Sequence, residues 1–332
     1  MKPIVIVGLG LAGACTAWHL WRRGVPFQIV DRGVAGSSHV AAGLIHAVTG
    51  KQCAVAEDFA QRREEAEAFY QSHENVLGET FWHPLGVIRL LSQEEARKKL
   101  AKFRTGAAAE WVEEFASDER WPYDVVVLLR GGARLDVPVF LRATREFFWK
   151  QGCLEESEML ERGADVITVF CEGAEGLIRG NPVAWRHRSA RGEILTVRAP
   201  AWKQTRLVTG RGWLVPVGED VYKVGATYEW DDLQRGPSEQ GLERLKRMAH
   251  ELGGDGFEVI DQQSGVRPIL RQSQPVAGKI QEDIWVLNGL GSKGSLYAPW
   301  AAGQLVDALV DGKPLESALS VDEYFAKLLP TK

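Results

Sequence analysis

The sequence predicts a mixed α/β and α+β chain, in which a parallel-sheet domain assembled from distant segments carries an inserted antiparallel-sheet domain. Three observations predict it. Each end of the chain supplies a buried strand, a glycine-rich loop and a helix. A middle apolar run, "DVITVFC" at residues 165–171, also ends at glycines, in "EGAEG". Between about 183 and 230 the pattern turns to period two, as in "EILTVRA", "GWLVPVG" and "VYKVGATYEW", which suits antiparallel strands with one face exposed.

The opening segment reads "IVIVGLGLAGACTAWHLWRRGVPFQIVDR", residues 4–32. Ile4–Val7 is a β-branched run of the kind buried on both faces. Leu11 to Arg23 reads as a helix, with Gly24 as its left-handed stop. Phe27–Val30 is a second buried strand, and Asp31 stands at its carboxyl end. Gly8 permits the tight turn out of the first strand, Gly10 lets the backbone approach a pyrophosphate, and Gly13 lets the helix pack closely on the sheet. The helix start, including Leu11 and Ala12, presents free N–H groups to phosphates. Asp31, with Arg32 beside it, is spaced to accept hydrogen bonds from an adenosine ribose. Strand, helix, second strand and acid in that order make a Rossmann-like dinucleotide site.

A nicotinamide-binding chain would continue with regular βα units. Here "GVAGSSHVAAGLIHAVTGK" follows, a run of small residues where backbone can lie against a flat ligand. Next come a charged helix from Glu57 to Leu77, a strand at Gly86–Leu91, helices over Gln93–Ala116 and a strand at Tyr123–Arg130. A helix starts near Pro138, and another covers Glu239–Leu252. The closing piece, "DIWVLNGLGSKGSLYAPWAAGQLVDALVDGK" at residues 283–313, is again strand, glycine loop and helix, with Ala298–Pro299 near the helix start.

Composition bounds the function. The 332 residues are 45% apolar and 25% charged, as expected of a globular chain of two domains or of one with an insertion. A net charge of −4 gives no reason to expect nucleic acid or an anionic membrane. The basic clusters at residues 97–104 and 186–191 read as solvated faces. No apolar run reaches the roughly 20 residues of a membrane span, and the start lacks signal-peptide features. Cys15, Cys53, Cys153 and Cys171 show no zinc or CxxC spacing and read as reduced thiols, so a cytoplasmic chain without a metal site is expected.

The motifs "GLGLAG", "SSHVAAGLI", "FCEGAEG", "GVRPILRQSQPVAG" and "GLGSKGSLYAP" together resemble the D-amino-acid oxidase-like (DAO) family of FAD-dependent oxidoreductases over essentially the whole chain. That family includes glycine oxidase, sarcosine oxidase and the oxidase half of the bifunctional enzyme that makes methylaminomethyl-uridine in tRNA. The resemblance implies a GR2-type Rossmann-like FAD-binding domain from residues 1–57, 132–180 and 260–332. The antiparallel-sheet substrate domain would take 58–131 and 181–259. It implies Asp31 on the ribose, Ser37 and Ser38 near the pyrophosphate, and Ala42, Gly43 and Leu44 along the isoalloxazine. Gly173 looks like a second FAD-contacting glycine. Gly291, Ser292, Lys293, Gly294 and Ser295 would cover the pyrimidine end, where a helix start stabilises negative charge. No cysteine follows Cys171, so FAD is expected to be non-covalent. The chain shows no counterpart of the methyltransferase half, and a tRNA role is not carried over.

For the substrate, the resemblance makes Arg267 in "GVRP" a carboxylate anchor, for which a guanidinium is suited. The alternative is a structural ion pair. Tyr228 is a candidate pocket aromatic or a packed strand residue, and Arg271 a pocket or surface charge. His46 either tunes the flavin or is structural, and Lys293 either assists oxygen chemistry or steadies the flavin. The leading expectation is oxidation of the C–N bond of a small amine or amino acid, with oxygen or another acceptor regenerating FAD. Two alternatives stand beside it: a 2-hydroxy-acid dehydrogenase with His46 as base, and a flavin-binding subunit of a nucleic-acid modification assembly. Oligomeric state is not legible.

Overall fold

The computed structural model describes residues 2–34, 36–50, 52–56, 58–116, 121, 123, 125–157, 165–270 and 274–328. The chain begins as expected with β1 (Ile4–Val7), α1 (Leu11–Arg22) and β2 (Phe27–Asp31). Gly24 has φ +63° and ends the helix. The small-residue run forms a short helix α2 (Ser37–Val40) and three two-residue strands, β3 (Leu44–Ile45), β4 (Val48–Thr49) and β5 (Ala54–Val55). Then follow α3 (Phe59–Leu77), β6 (Trp82–Leu91), α4 (Gln93–Arg104), β7 (Val112–Ala116), β8 (Val125–Leu135), α5 (Val137–Lys150), β9 (Leu154–Glu156), β10 (Ile167–Phe170) and α6 (Gly173–Arg179). The remainder is β11 (Ala190–Arg198), β12 (Leu207–Thr209), β13 (Trp213–Gly218), β14 (Val221–Gly225), α7 (Glu239–Gly253), β15 (Glu258–Arg267), β16 (Val276–Gln281), β17 (Ile284–Asn288), α8 (Gly294–Asp311) and α9 (Val321–Ala326).

Two details differ from the sequence reading. Val112–Ala116 is a strand, not the end of a helical stretch. Its glutamates favour helix locally, but the segment pairs antiparallel with β8, and tertiary pairing overrides propensity. Helix α8 starts at Gly294, so Pro299 lies inside it. The Pro299 carbonyl is met by His19 Nε2 of α1 at 2.9 Å.

Among the described residues the first sheet has the order β16-β17-β10-β1-β2-β9. Its inner pairs are parallel, and only β16 runs antiparallel, against β17. Segments from residues 4 to 288 thus meet in one sheet. Helices α1 and α8 pack together over it, with Gly303 leaving room for the His19 ring. Trp18 Nε1 donates to Thr144 Oγ1 at 3.0 Å and joins α1 to α5.

The second sheet has the order β15-β11-β14-β13-β12-β6-β8-β3, with β7 also on β8. It takes in Leu44–Ile45 and the whole of β15, so a boundary drawn at residue 260 cuts that strand. Strand parity divides its side chains between two faces. Leu90, Val208, Leu214, Val224 and Leu195 share one face with Leu245, Ala249 and Leu252 of α7 in a single apolar cluster. Ser238 caps α7, its Oγ accepting from Gly241 N at 3.0 Å. Leu245→Ala removes a fully buried side chain from this cluster and should cost about 2–5 kcal/mol, read as a lower urea midpoint with unchanged m-value.

Candidate active site

A cavity of about 1240 Å³ lies outside the carboxyl ends of β1, β2, β10 and β17 and against the face of the second sheet opposite α7. That is where ligands bind in open α/β sheets. Its volume exceeds the roughly 300–1,000 Å³ of a drug-sized ligand site, which leaves room for a dinucleotide and a small substrate together.

The dinucleotide end is built from backbone. Gly8 has φ +95°, and a Cβ there would stand 2.8 Å from Cys171 O. A Cβ on Gly13 would lie 1.9 Å from Gly8 O, so the start of α1 approaches the β1 turn as only glycine permits. Gly10 faces the cavity, where a Cβ would meet Ser38 Oγ at 3.3 Å. Leu11 N also donates to Ser38 Oγ, at 3.4 Å. Asp31 accepts from Leu9 N at 2.8 Å, from Gly33 N at 3.0 Å and from Arg145 at 2.8 Å. A carboxylate has about four acceptor positions, so one remains for a ligand hydroxyl. Arg32 is joined to Glu175 at 2.6 Å.

The next wall is stitched to the second sheet. Gly43 has φ +68°, and Leu135 N donates to its carbonyl at 2.9 Å. Gly173, with φ +57°, starts α6, and its carbonyl accepts from Asn288 Nδ2 at 2.9 Å. Gly291 N donates to Pro268 O at 2.9 Å, which ties the closing loop to the strand end carrying Arg267. Lys293 occupies the N-cap position of α8.

Of the residues singled out in the sequence, Gly8, Gly10, Leu11, Ala12, Asp31, Arg32, Ser37, Ser38, Ala42, Gly43, Leu44, His46, Gly173, Tyr228, Arg267, Gly291, Ser292, Lys293, Gly294 and Ser295 all line the cavity. Gly13 stands behind it, against Gly8. Arg271 lies outside the described residues.

Arg267 extends over Gly192, where a Cβ would stand 2.2 Å from the guanidinium. Its carbon is 4.9 Å from the Tyr228 ring centroid, within cation–π range. Its Nη1 is buried and has no hydrogen-bond partner among the described residues. Burial lowers its pKa, and Tyr228 opposes that shift. No structural ion pair of Arg267 is present among the described residues. Burial likewise lowers the Lys293 pKa, against the attraction of Asp58.

His46 Nδ1 is buried and unpartnered among the described residues. Burial, with a smaller repulsion from Arg89, lowers its pKa to about 4, so the ring is neutral at pH 7. Cys15 and Cys171 are buried thiols, and burial pushes Cys171 up to about 12. Neither is an activated nucleophile.

The sequence reading missed Arg89, Thr209, Arg211, Trp213, Ile194 and Asn288 in the cavity wall. One of them had a signal: Arg89 interrupts the apolar run "GVIRLL". The others depend on which strand faces the cleft.

The family described as FAD dependent oxidoreductase, DAO, matches residues 3–308. Glycine oxidase from Geobacillus kaustophilus superposes with a TM-score of 0.81 at 22% identity, covering 95% of this chain and 96% of that one. Iminodiacetate oxidase from Chelativorans sp. BNC1 gives 0.78 at 19% identity, covering 94% and 96%. By sequence, the bifunctional protein MnmC of tRNA 5-methylaminomethyl-2-thiouridine biosynthesis from Idiomarina loihiensis is 24% identical over 90% of this chain and 54% of its own length. Its counterpart from Marinobacter nauticus is 24% identical over 92% and 55%. The chain thus spans about half the length of these curated relatives. No helix among the described residues is long and apolar enough to cross a membrane.

His19, His46 and His73 each have a pKa lowered by burial to about 4. Between about pH 6.5 and 4 the unfolded chain binds more protons at these rings than the folded one does. Their contribution to stability is complete above pH 6.5 and is lost as pH falls toward 4, at up to about 1.4 kcal/mol per pH unit for each ring. Urea midpoints at pH 7.5, 6 and 5 should fall in that order, and His73→Gln should flatten the slope.

Proposed function

Since the chain belongs to the DAO family of FAD-dependent oxidoreductases, we propose that it oxidises the C–N bond of a small amine that carries a carboxylate. The observation behind this reading is Arg267: a guanidinium with a buried, unpartnered Nη1 facing the cavity beside the closing loop. A buried donor without a partner is costly, and a substrate carboxylate would satisfy it in the bidentate geometry that arginine favours.

The cradle fits the cofactor. The Gly8–Gly13 turn and the start of α1 would hold the pyrophosphate, with Ser37 and Ser38 beside them. Asp31 would take the ribose, Ala42–Leu44 the ring system, and the start of α8 at Gly291–Ser295 its pyrimidine end. When bound without a covalent link, FAD supplies a two-electron acceptor for the hydride that leaves the carbon next to nitrogen, and water then hydrolyses the resulting imine.

The protein's part is placement and exclusion of water. Arg267 would fix the carboxylate, while Tyr228 backs the guanidinium. Lys293 would steady negative charge at the α8 start. Release of hydride requires a neutral amine, and no side chain is assigned as its base.

His46 argues against the hydroxy-acid alternative. A base with a pKa of about 4 is poorly matched to removing a hydroxyl proton at neutral pH. The tRNA-modifying activity is named for whole proteins of which this chain matches about half, so the small-molecule reading takes precedence over the assembly reading.

Anaerobic mixing of the FAD-loaded protein with amino acids, N-alkyl amino acids, simple amines and 2-hydroxy acids tests this. Bleaching of the flavin band by carboxylate-bearing amines is expected, and bleaching by hydroxy acids alone would overturn the reading. Arg267→Met should cost about 2–5 kcal/mol, roughly 30- to several-thousand-fold in kcat/KM for such amines, mostly through KM. Unchanged kinetics would remove Arg267 from the site.

A further inference from the structure

We propose that Arg89 is a second anion-recognition residue of this cavity, and that the preferred substrate is an amino dicarboxylate whose far carboxylate it binds. The inference rests on the reading of Arg267 given above and extends it to the other end of the substrate.

Strand register places both arginines on one face of one sheet. Across the second sheet Arg89 pairs with Thr209, Thr209 with Trp213, Trp213 with Gly225, and Gly225 with Ile194. Ile194 and Ala190 lie four residues apart on β11, hence on the same face, and Ala190 pairs with Arg267. No register shift interrupts this path, because the shift in β11–β15 falls at Thr196/Val197 and that in β13–β14 at Pro216/Gly218. Arg89 therefore points to the cleft side with Arg267, and the opposite face is occupied by α7.

Arg89 is buried and incompletely partnered among the described residues. It is only 5% exposed, and its buried Nε has no hydrogen-bond partner among the described residues. Its contact to Glu95 is long, at 4.0 Å. That carboxylate already accepts from Ser92 N at 3.3 Å and from Lys99 at 3.2 Å in the cap of α4. A buried guanidinium left this short of acceptors is expensive unless a ligand completes it.

The charges of the cavity wall point the same way. Its described carboxylates are Asp31, Glu172 and Glu175. Asp31 and Glu175 are paired with arginines at the dinucleotide end, and Glu172 opens α6 there. Arg89 and Lys293 both act on His46 from the wall, while Glu95, at 4.0 Å from Arg89, and Asp58, which attracts Lys293, stand outside the lining. A cavity end whose lining contributes cations and no carboxylate favours a substrate with more than one negative charge.

Four strands, β11, β14, β13 and β12, lie between β15, which carries Arg267, and β6, which carries Arg89, and the Arg267 guanidinium reaches back over Gly192 of β11. At about 4.8 Å per strand the two arginines stand on walls far enough apart to need their carboxylates separated by several bonds, the gap being narrowed by the reach of both side chains.

The FAD-loaded protein should be titrated with non-oxidisable α,ω-dicarboxylates from malonate to pimelate, and with monocarboxylates of equal chain length, following the perturbed flavin spectrum. One dicarboxylate length is expected to bind about 10- to 100-fold tighter than its monocarboxylate partner, the value of one charge-assisted contact. Arg89→Gln should bring that ratio close to one, and Arg89→Lys should retain part of it. If Arg89→Gln does not fold, the reduced ratio in Arg89→Lys carries the test. A wild-type ratio near one, or a ratio that survives both substitutions, overturns the proposal. Failure of the Arg267 reading is separable. Arg267→Met would then leave monocarboxylate binding intact while the dicarboxylate preference still followed Arg89.

Discussion

The contact between Gly13 and the Gly8 carbonyl constrains the rest of the molecule. A methyl group at Gly13 would sit 1.9 Å from that oxygen, so α1 can rest on the sheet at its observed depth only if residue 13 has no side chain. That depth buries Leu11 to Trp18 without a break and Leu20 after them, and it lets α8 pack on α1 through His19 and Gly303. It also brings the N–H groups at the start of α1 to the mouth of the cavity, beside Asp31. The glycine that shapes the site is therefore not in it: Gly13 touches no ligand space and sets the position of residues that do.

This explains which parts were legible in the sequence. Glycines at fixed spacing, a β-branched strand and a terminal acid are local features, and all lie in residues 4–32. The closing loop was legible for the same reason, since Gly291 and Lys293 act within a few residues of the helix they introduce. What was hidden depends on pairing between distant segments. Val112–Ala116 is a strand because β8 accepts it. Asp31 is steadied by Arg145, 114 residues away. Arg89 shares a face with Arg267 only through a register path across six strands. Its one local signal, a charge inside an apolar run, says that the residue is unusual without saying which cavity it faces.

The inserted sheet reconciles two demands through parity alone. Its α7 face must be apolar, because that cluster holds the insertion together. Its cleft face carries Arg89 and Arg267, which suits the small anionic substrate proposed above. Alternation places Leu90 next to Arg89, Val208 next to Thr209 and Leu195 next to Ile194, while Glu193, on the α7 side of β11, is paired with Arg191 and accepts from Ser238 at the cap of α7.

The cost of that arrangement is a pair of cations, Arg89 and Lys293, both acting on His46 and each opposed by one carboxylate, Glu95 and Asp58. It is tolerable for two physical reasons. His46 lies between Arg89 and Lys293 in electrostatic terms and is held neutral by burial, so it adds no third positive charge there. The pKa of Lys293 is itself lowered by burial, which weakens its hold on a proton when no anion is near. Negative charge entering the cavity would relieve the repulsion that remains, on a reduced flavin held as proposed at the start of α8 or on the proposed substrate. Binding and charge relief are then the same event. An anionic ligand is favoured by the electrostatic stress of the wall as well as by the hydrogen bonds it makes, and a neutral ligand of the same shape would gain neither.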